Sequence, residues 1–407
     1  MSQTMLDAFS KCQPRPDACY AIASGVFPYH HSISERLANS EVVIDGTAVL
    51  MAGSNDYLAL SNDLRLKAAA ASAIARLGTG NCGSRPVNGT LALHERLEGE
   101  LATFLRQEAA LVVTTGYQAN LALSALFAPD DVLFTDQGVH ASLLDAARLG
   151  QAELHRFRHN DAVQLESRLK ATPRDRGRLI LTEGMFSADG NLGDLFSLAR
   201  LAGKHGARLI VDGAHDVGLL GLGGRGAAEH LGVLDAVDVQ TLTFSTCFGT
   251  LGGAVAGPAA VIDHVRLNAR AALFSASLPP ACTAAAQAAL GIIRAEPERR
   301  QRVLAAARRL RADLTGLGFD TGLGITPAVP IRVGEPLVCM RLWRELLNEG
   351  VFTGALVPPA VPDGTALIRI GVTAAHSDAQ LSRIAEACEK AGRRLGLIPS
   401  RRPALTP

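Results

Sequence analysis

The sequence lacks the long apolar run that a membrane-spanning helix needs. The longest candidate, Leu251 to Ile262, is shorter than the roughly 20 residues required and is interrupted by three glycines and a proline. Residues Met1 to Pro16 have neither a basic start nor an apolar stretch, so we expect no secretory signal there. The sequence therefore predicts a cytoplasmic protein without a membrane span.

An excess of charge of one sign is also missing. The chain has 40 Lys+Arg against 39 Asp+Glu, a formal net charge of +1. Binding to a phosphate backbone needs a concentrated excess of basic side chains, so we expect no nucleic-acid partner. Hydrophobic residues make up 48% of the chain, which is enough to bury a large core and excludes a disordered protein.

Cysteines are few and have no regular spacing. The seven cysteines are odd in number and include no Cys-x-x-Cys pair. This distribution disfavours both a disulfide framework and a zinc site. We therefore expect a protein of a reducing compartment and predict no metal site.

The middle of the chain alternates short β-rich runs with alanine- and leucine-rich helical stretches. Such alternation is typical of βαβ units with right-handed crossovers and a mostly parallel sheet covered on both faces. The apolar run Leu209–Val211 fits a strand buried on both faces. The predicted strands are Ala109–Val113, Asp131–Phe134, Arg178–Leu181, Arg208–Val211 and Val237–Thr243, and the helices among them are Ala119–Leu126, Ser142–Leu149 and Leu195–His205.

The regions before and after this core do not continue the strand–helix alternation. A helix is predicted over Leu64–Leu77, and after Pro279–Pro280 come long helices and two short alternating segments. These later elements are helices Cys282–Arg294, Arg299–Leu317 and Leu337–Glu349 and strands Ala328–Val333 and Ala366–Val372. We predict an N-terminal segment over 1–50, a large α/β domain over 51–285, a smaller C-terminal α/β domain over 286–399 and a loose tail over 400–407.

Polar clusters follow the predicted strands at their carboxyl ends, where open parallel sheets bind ligands. Thr115-Gly116-Tyr117 lies at a strand-to-helix turn, where backbone N–H groups favour a phosphate, although a simple helix cap explains the pattern too. His140 suits ring stacking or proton transfer, and also a structural role at a helix start.

Asp212 ends a hydrophobic strand, and His215 follows in the next turn. A carboxylate is costly to bury there unless it meets a cation or a protonated ring nitrogen. A ligand contact and a cap of the following turn are comparable explanations for Asp212. The glycine-rich stretch 78–89 suits a loop whose backbone passes close to a neighbour, but no Gly-Lys-Ser/Thr closes it as in a P-loop.

Taken in order, these clusters resemble the α-oxoamine synthase family of fold-type I pyridoxal-phosphate (PLP) enzymes, which includes 8-amino-7-oxononanoate synthase and serine palmitoyltransferase. The resemblance runs from about Asn55 to His376. It implies the fold of those enzymes, an α/β fold with a large mostly parallel sheet domain and a smaller C-terminal domain. The matching segments are Asn55-Asp56-Tyr57-Leu58, Gly78–Arg85 with Gly89, Phe157–Asp161, Ser187–Gly190, Asp212…His215, Ser275–Pro280 and Arg369…His376.

The resemblance also implies roles for individual residues. Asp212 would pair with the pyridinium nitrogen of PLP and make the ring an electron sink, and His140 would stack on that ring. Arg369 would hold a substrate carboxylate in a bidentate grip, with Asn55 beside the substrate. The other expected cofactor contacts are Thr115, Gly116, Tyr117 and Thr243 at the phosphate, Ser187 and His215 at the hydroxyl edge, and Ser275 and Ser277 at the phosphate of a second subunit of a homodimer.

The pattern breaks where the family carries its Schiff-base lysine, because Thr246 stands at that position. A hydroxyl cannot form an imine with an aldehyde, and it cannot replace the lysine as a general base. The chain has only five lysines, Lys11, Lys67, Lys170, Lys204 and Lys390, and we expect none of them at the site. Gly213, Val139 and Cys247 depart from the family pattern as well.

Three functions remain in view, in order of preference. The first is an acyltransferase that uses an acyl-thioester of CoA or a carrier protein and an amine or amino-acid acceptor, with non-covalent PLP or none. In it, His140 or His215 would act as general base, and Thr246 would accept or orient an acyl group. The second is a non-catalytic subunit of a serine palmitoyltransferase-like heterodimer, and the third is a PLP-dependent α-oxoamine synthase whose lysine was mutated.

Overall fold

The computed structural model describes residues 7–13, 15–37 and 40–399. The predicted tail over 400–407 lies outside the described residues. The helices are α1 (Pro16–Ala23), α2 (Leu64–Leu77), α3 (Ala92–Leu105), α4 (Gly116–Ala122), α5 (Ala141–Leu149), α6 (Ala162–Ala171), α7 (Leu195–His205), α8 (Ala227–His230), α9 (Ala259–Asn268), α10 (Arg270–Leu273), α11 (Pro280–Ala295), α12 (Pro297–Leu317), α13 (Pro336–Asn348) and α14 (Asp378–Arg394).

The strands form three sheets of four, seven and three strands, in the orders β1-β2-β3-β12, β4-β10-β9-β8-β7-β5-β6 and β11-β14-β13. They are β1 (Ile33–Arg36), β2 (Glu41–Ile44), β3 (Thr47–Met51), β4 (Ala109–Val113), β5 (Val132–Asp136), β6 (Glu153–Phe157), β7 (Arg178–Glu183), β8 (Arg208–Asp212), β9 (Val239–Thr243), β10 (Gly253–Gly257), β11 (Ala328–Gly334), β12 (Val351–Phe352), β13 (Gly354–Leu356) and β14 (Ala366–Gly371).

The seven-stranded sheet is mostly parallel, as the alternation of elements predicts. Strands β5 to β9 pair in parallel, and β10 runs antiparallel between β4 and β9. Successive residues of β4 enter different buried clusters, with Val112 in one and Leu111 and Val113 in the other. Helices therefore cover both faces of a mostly parallel sheet, as the sequence predicts.

The five predicted strands of the core are confirmed, but two further strands were missed. β6 mixes polar and apolar residues at the sheet edge, and β10 consists of glycine, alanine and one valine. Glycine at both ends of β10 weakens the sequence signal of a strand, because it lacks a side chain to pack. Helices α3, α6 and α9 were also not predicted from the sequence.

The predicted helix Ala119–Leu126 begins earlier and ends differently. The α-helical part starts at Gly116, because the Thr115 side chain accepts a hydrogen bond from the Gln118 N–H at 3.1 Å and caps the first turn. Leu123–Leu126 forms a 3-10 turn. The predicted strand Val237–Thr243 starts at Val239, since a 3-10 turn precedes it.

The three-stranded sheet carries residues from late in the chain back to the core. Its central strand β14 pairs with β11 and β13, and the whole of β14 is buried. The chain passes from β14 directly beside Ala52 and Tyr57, because the Gly371 N–H donates to the Ala52 carbonyl and the Ala374 N–H to the Tyr57 carbonyl. The division into domains at residues 50, 285 and 399 stays a prediction.

Within the described part of the chain, no helix combines the length and the apolar character that crossing a bilayer would demand.

Trp343 on α13 joins the last third of the chain to its beginning. Its side chain is fully buried, its indole N–H donates to the Thr353 carbonyl at 3.1 Å, and its ring packs against His31 and Phe352. We expect Trp343→Ala to lower the free energy of unfolding by about 3–5 kcal/mol, as for other buried aromatic truncations.

Guanidinium unfolding followed by far-UV circular dichroism measures this loss, since the variant has no tryptophan fluorescence. Leu323→Ala is the matched control, because Leu323 is 100% exposed and should lose less than about 0.5 kcal/mol. Equal losses in the two variants would contradict the anchoring role of Trp343.

Candidate active site

The carboxyl ends of the parallel strands bring the candidate residues to one edge of the central sheet. Asp212 is the last residue of β8, and Thr243 is the last residue of β9. The register pairs Asp212 with Thr241 on one side and with Glu183, the end of β7, on the other. Because β4 lies two strands from β9 in the same direction, its following turn at Thr115 reaches this edge too.

The Asp212 carboxylate lies in a buried hydrogen-bond network. One oxygen accepts from the Asn120 amide at 2.7 Å, and the other accepts from the Ala214 N–H at 2.9 Å. Thr241 donates to the Asn120 oxygen at 2.7 Å and so fixes which end of that amide faces Asp212. Burial nevertheless raises the pKa of Asp212 above its ordinary value. Asp212 therefore suits a cationic partner, as the resemblance implies.

His140 lies on the exposed side of this network, at the start of α5. Its Nδ1 is 2.7 Å from the Ser142 hydroxyl, which in turn accepts from Asn120 at 2.8 Å. The rings of His140 and Tyr117 meet edge to face with centroids 6.0 Å apart. Ser142 thus holds the imidazole through Nδ1, and the exposed part of the ring is open to a ligand.

A backbone cradle lies between β4 and β9. A Cβ on Gly116 would lie 2.5 Å from the Thr243 Cβ. Glycine therefore allows the turn after β4 to approach the end of β9 this closely. The Thr243 hydroxyl is 2.9 Å from that of Ser245, and both are accessible. Thr115, in contrast, uses its side chain to cap α4. Of the predicted phosphate contacts, Gly116 and Thr243 thus lie together, and Ser245, which was not predicted as a phosphate contact, lies beside them.

Arg369 is the most unusual group of the site. Its side chain is buried, with a residue exposure of 7%, yet its guanidinium donates only to neutral oxygens. The acceptors are the Ser187 carbonyl at 2.7 Å, the Asn55 side chain at 2.7 Å and the Tyr57 hydroxyl at 2.5 Å. No carboxylate in the described ranges forms an ion pair with it. A buried, unneutralised guanidinium is a strong site for a carboxylate ligand.

His215 contacts the same group of residues. Its Nδ1 is 2.9 Å from the Tyr57 hydroxyl. Burial lowers the pKa of His215 to about 3, with the positive charge of Arg369 as the second cause. His215 is therefore neutral at physiological pH.

Thr246 lies at the bottom of the site and is 2% exposed. Its hydroxyl donates to the Ala214 carbonyl at 2.6 Å, so it braces the turn between Asp212 and His215. Cys247 is buried behind it, where burial raises the pKa of the thiol. An acyl-accepting role for Thr246 stays a prediction, and the structure shows a hydroxyl already engaged with the backbone.

The five lysines of the chain lie at the surface. All five lysine side chains are among the described residues and all are exposed. Lys170 and Lys204 pair with Glu166, and Lys390 pairs with Glu349, all at the surface. The expectation that no other lysine reaches the site stays a prediction.

The segment Ser275–Ser277 packs against the glycine-rich loop. The Ser275 hydroxyl accepts from the Gln118 side chain at 2.5 Å, and that of Ser277 accepts from Asn81 at 2.7 Å. A Cβ on Gly89 would lie 2.6 Å from the Ser277 hydroxyl, which explains glycine there. Contact of this segment with a second subunit stays a prediction.

Two buried carboxyl groups lie beside Asp212 and were not predicted as site residues from the sequence. Glu183 ends β7, accepts from the His140 N–H, and has its pKa raised well above the usual range by burial and by Asp212. Asp216 accepts from the Ala227 N–H at 2.5 Å, while its other oxygen is buried without a partner among the described residues. The position of Glu183 after an apolar strand could have indicated a buried acid, whereas nothing local marks Asp216.

One departure from the family pattern has a packing reason. A Cβ on Gly213 would lie 2.6 Å from the Val217 side chain and 2.9 Å from the Gln240 amide, so an acidic side chain there would require these neighbours to move. The acid found in this turn is Asp216 instead. Its carboxylate lies against Gly184, where a Cβ would come within 2.2 Å of it.

Asp216 should make the protein less stable as the pH rises. Burial raises its pKa from 3.8 to about 7, so the folded state binds the proton more tightly than the unfolded state. Stability from this group is full below pH 4 and is lost as the pH rises to 7, at up to about 1.4 kcal/mol per unit. We expect Asp216→Asn to raise the melting temperature at pH 8 and to change it little at pH 4.

Asp63→Asn provides a control of opposite sign, measured by the same thermal scans. The Arg65 guanidinium lowers the pKa of Asp63 to about 2, so its contribution is present above pH 4. That variant should be destabilised at pH 8. A lower melting temperature for Asp216→Asn at pH 8 would contradict this prediction, because it would show that other interactions offset the cost of burying the ionised Asp216 carboxylate.

Comparisons with known proteins agree with this geometry. The 8-amino-7-oxononanoate synthase of Symbiobacterium thermophilum is 42% identical over 358 residues, covering 88% of this chain and 91% of that protein. The serine palmitoyltransferase of Sphingobacterium spiritivorum is 38% identical over 369 residues, covering 90% and 92%.

A solved structure of serine palmitoyltransferase from S. paucimobilis, a lysine-to-alanine variant carrying PLP joined to myriocin, superposes with a TM-score of 0.94 at 33% identity, covering 97% of this chain and 100% of that one. The family model for aminotransferase class I and II matches residues 48–388. The chain therefore belongs to the aminotransferase class I and II family.

Proposed function

We propose that the chain is an acyltransferase of the α-oxoamine synthase type, acting on an acyl-thioester of CoA or a carrier protein and on an amino-acid acceptor. The observation that carries this proposal is the buried Arg369 guanidinium, which has no protein carboxylate among the described residues. A carboxylate on the acceptor would neutralise it. The relatives named as 8-amino-7-oxononanoate synthase and serine palmitoyltransferase support this reaction type.

The residues fit PLP held without a covalent bond. The glycine cradle at Gly116 with the Thr243 and Ser245 hydroxyls would hold its phosphate, and Asp212 would face its ring nitrogen. PLP, when bound, supplies an electron sink for the carbon next to the acceptor nitrogen. Thr246 offers no amine for a covalent bond, so a non-covalent PLP, or acyl transfer without PLP, follows from the proposal.

The chain's own residues then bind and orient the two substrates. Arg369 and Asn55 hold the acceptor carboxylate, and His140 limits the face from which the acceptor approaches. A cavity of about 950 Å³ opens between the segments that flank His140 and Ser187 and is lined by Phe186 and Arg156. Its apolar walls and guanidinium suit an acyl-thioester arm. The fixed placement of both partners supplies the proximity that the reaction needs.

A non-catalytic subunit is the second candidate. Val87, Leu251 and Phe274 are exposed apolar side chains, with exposures of 82%, 45% and 79%, and Phe274 directly precedes the Ser275–Ser277 segment expected to meet a second subunit. Such a surface fits a partner copy or a lysine-bearing homologue. A homodimer is proposed under the first function, and a heterodimer under this one.

The two functions separate by thiol release and spectroscopy. The protein is purified with and without PLP, and free thiol is measured after adding acyl-CoA with an amino acid. Amino-acid-dependent thiol release supports the acyltransferase, whereas its absence together with co-purification of a lysine-bearing homologue supports the subunit. Absence of both would contradict the two proposals.

Thr246→Lys tests the PLP pocket directly. We expect borohydride treatment and mass spectrometry to find no pyridoxyl adduct on the unchanged protein and one adduct on residue 246 of the variant, because only the variant has an amine in the site. Thr103→Lys, which places a lysine on the exposed face of α3, is the control and should carry no adduct. An adduct on the unchanged protein would contradict a non-covalent or PLP-free site.

Arg369→Gln tests the carboxylate contact. We expect the KM for an amino-acid acceptor to rise by about tenfold to a hundredfold, the effect of losing hydrogen bonds to a charged group. The KM for the corresponding amine without a carboxylate should change much less. Arg200→Gln, at an exposed arginine of α7, serves as the control. An equal change for both acceptors in Arg369→Gln would show that Arg369 does not bind the carboxylate.

A further inference from the structure

Three side chains form a continuous hydrogen-bond relay across the site. The Arg369 guanidinium donates to the Tyr57 hydroxyl at 2.5 Å, and that hydroxyl is 2.9 Å from Nδ1 of His215. Tyr57 is 0% exposed, so its hydroxyl has no access to solvent. The relay connects the carboxylate-binding residue to the histidine that follows Asp212.

The chemistry of the three groups fixes the direction of both hydrogen bonds. A guanidinium has no acceptor, so it can only donate to Tyr57. If Nδ1 of His215 carried a proton and donated to Tyr57 as well, the phenolic hydrogen would be buried without an acceptor, which costs about 1–3 kcal/mol. The satisfied arrangement has Tyr57 donating to Nδ1, and the proton of neutral His215 then lies on Nε2.

We propose that Tyr57 is a positioning residue that holds His215 in the Nε2–H tautomer, so that His215 presents a hydrogen-bond donor to the ligand and has no free lone pair. Nδ1 uses its lone pair to accept from Tyr57, and Nε2 carries the proton. This assignment replaces the expected role of His215 as a general base by that of a donor to a ligand oxygen. The consequence for acyl transfer rests on the proposed function, but the tautomer itself does not.

The charged and titratable neighbours agree with this assignment. Burial and the charges of Arg369 and His140 lower the pKa of His215, and no carboxylate among the described residues forms an ion pair with its ring. Burial raises the pKa of Tyr57, so its hydroxyl keeps the hydrogen that it donates. The tautomer is therefore set by the hydrogen bond between Tyr57 and Nδ1.

His140 can serve as an internal reference when the tautomer of His215 is measured. Its Nδ1 accepts from the Ser142 N–H at 3.3 Å and lies 2.7 Å from the Ser142 hydroxyl. A backbone N–H can only donate, so His140 is also held as the Nε2–H tautomer when neutral, but without Tyr57. A change confined to His215 would therefore identify Tyr57 as its cause.

The test is 15N NMR of the full chain labelled in its histidine rings, with no PLP or substrate added. The eleven histidines are distinguished with the help of a His215→Gln sample. At pH 7 the unchanged protein should show His215 with a protonated Nε2 and an unprotonated Nδ1. In Tyr57→Phe the ratio of the two tautomers should shift by about tenfold toward Nδ1–H, the effect of losing one hydrogen bond, with His140 unchanged.

Tyr29→Phe is the matched control, since Tyr29 is a partly buried tyrosine that packs on Phe27 outside the site. It should leave the His215 signals unchanged. A protonated Nδ1 in the unchanged protein, or an equal tautomer ratio in Tyr57→Phe and Tyr29→Phe, would overturn the proposal. The measurement needs no turnover. The tautomer of His215 can therefore be determined even if the proposed function is wrong.

Arg369→Gln is the second variant, and it tests the tautomer of His215 if Tyr57→Phe does not fold. Trp343 fluorescence reports whether each variant is folded. Without the guanidinium, the Tyr57 hydroxyl can accept from Nδ1–H, so the Nδ1–H tautomer should gain population. An unchanged ratio in folded Arg369→Gln would overturn the relay.

Discussion

The buried charge of Arg369 is the constraint on which the site depends. A guanidinium removed from water is costly unless its donors are met, and here three neutral oxygens from distant parts of the chain accept from three of its five N–H groups. Asn55 and Tyr57 precede the central sheet, Ser187 follows β7, and Arg369 itself is in β14. Placing one cation thus draws together the segment that carries Asn55 and Tyr57, the central sheet and the three-stranded sheet.

The acids of the site complement this cation without pairing with it. Asp212, Glu183 and Asp216 lie beside one another at the ends of β7 and β8 and in the turn after β8, and burial raises the pKa of each. Each carboxyl is held mainly by amide and backbone donors. A site that keeps a cation and its acids separate leaves both available to a ligand with a carboxylate at one end and a cationic ring or amine at the other.

Thr246, at the position where the resemblance predicts a lysine, is part of the packing that holds the site together. The threonine hydroxyl ties itself to the Ala214 carbonyl, so the turn carrying Asp212 and His215 is braced from within. The same turn accommodates Gly213 and Asp216 by close packing against Val217 and Gly184. These departures from the family pattern are therefore compatible with an intact fold, with PLP held non-covalently or absent as proposed.

The sequence by itself determined the fold class, the main strands of the central sheet and the candidate residues at their ends, because hydrophobic alternation and ordered motifs are local signals. It also showed that Thr246 has no amine. Only the tertiary structure decided which donors and acceptors meet: Tyr57 with His215, Asn120 with Asp212, and Arg369 with three neutral oxygens. Those contacts join residues far apart in the chain, and a hydrogen bond depends on the position of both atoms, which no local pattern specifies.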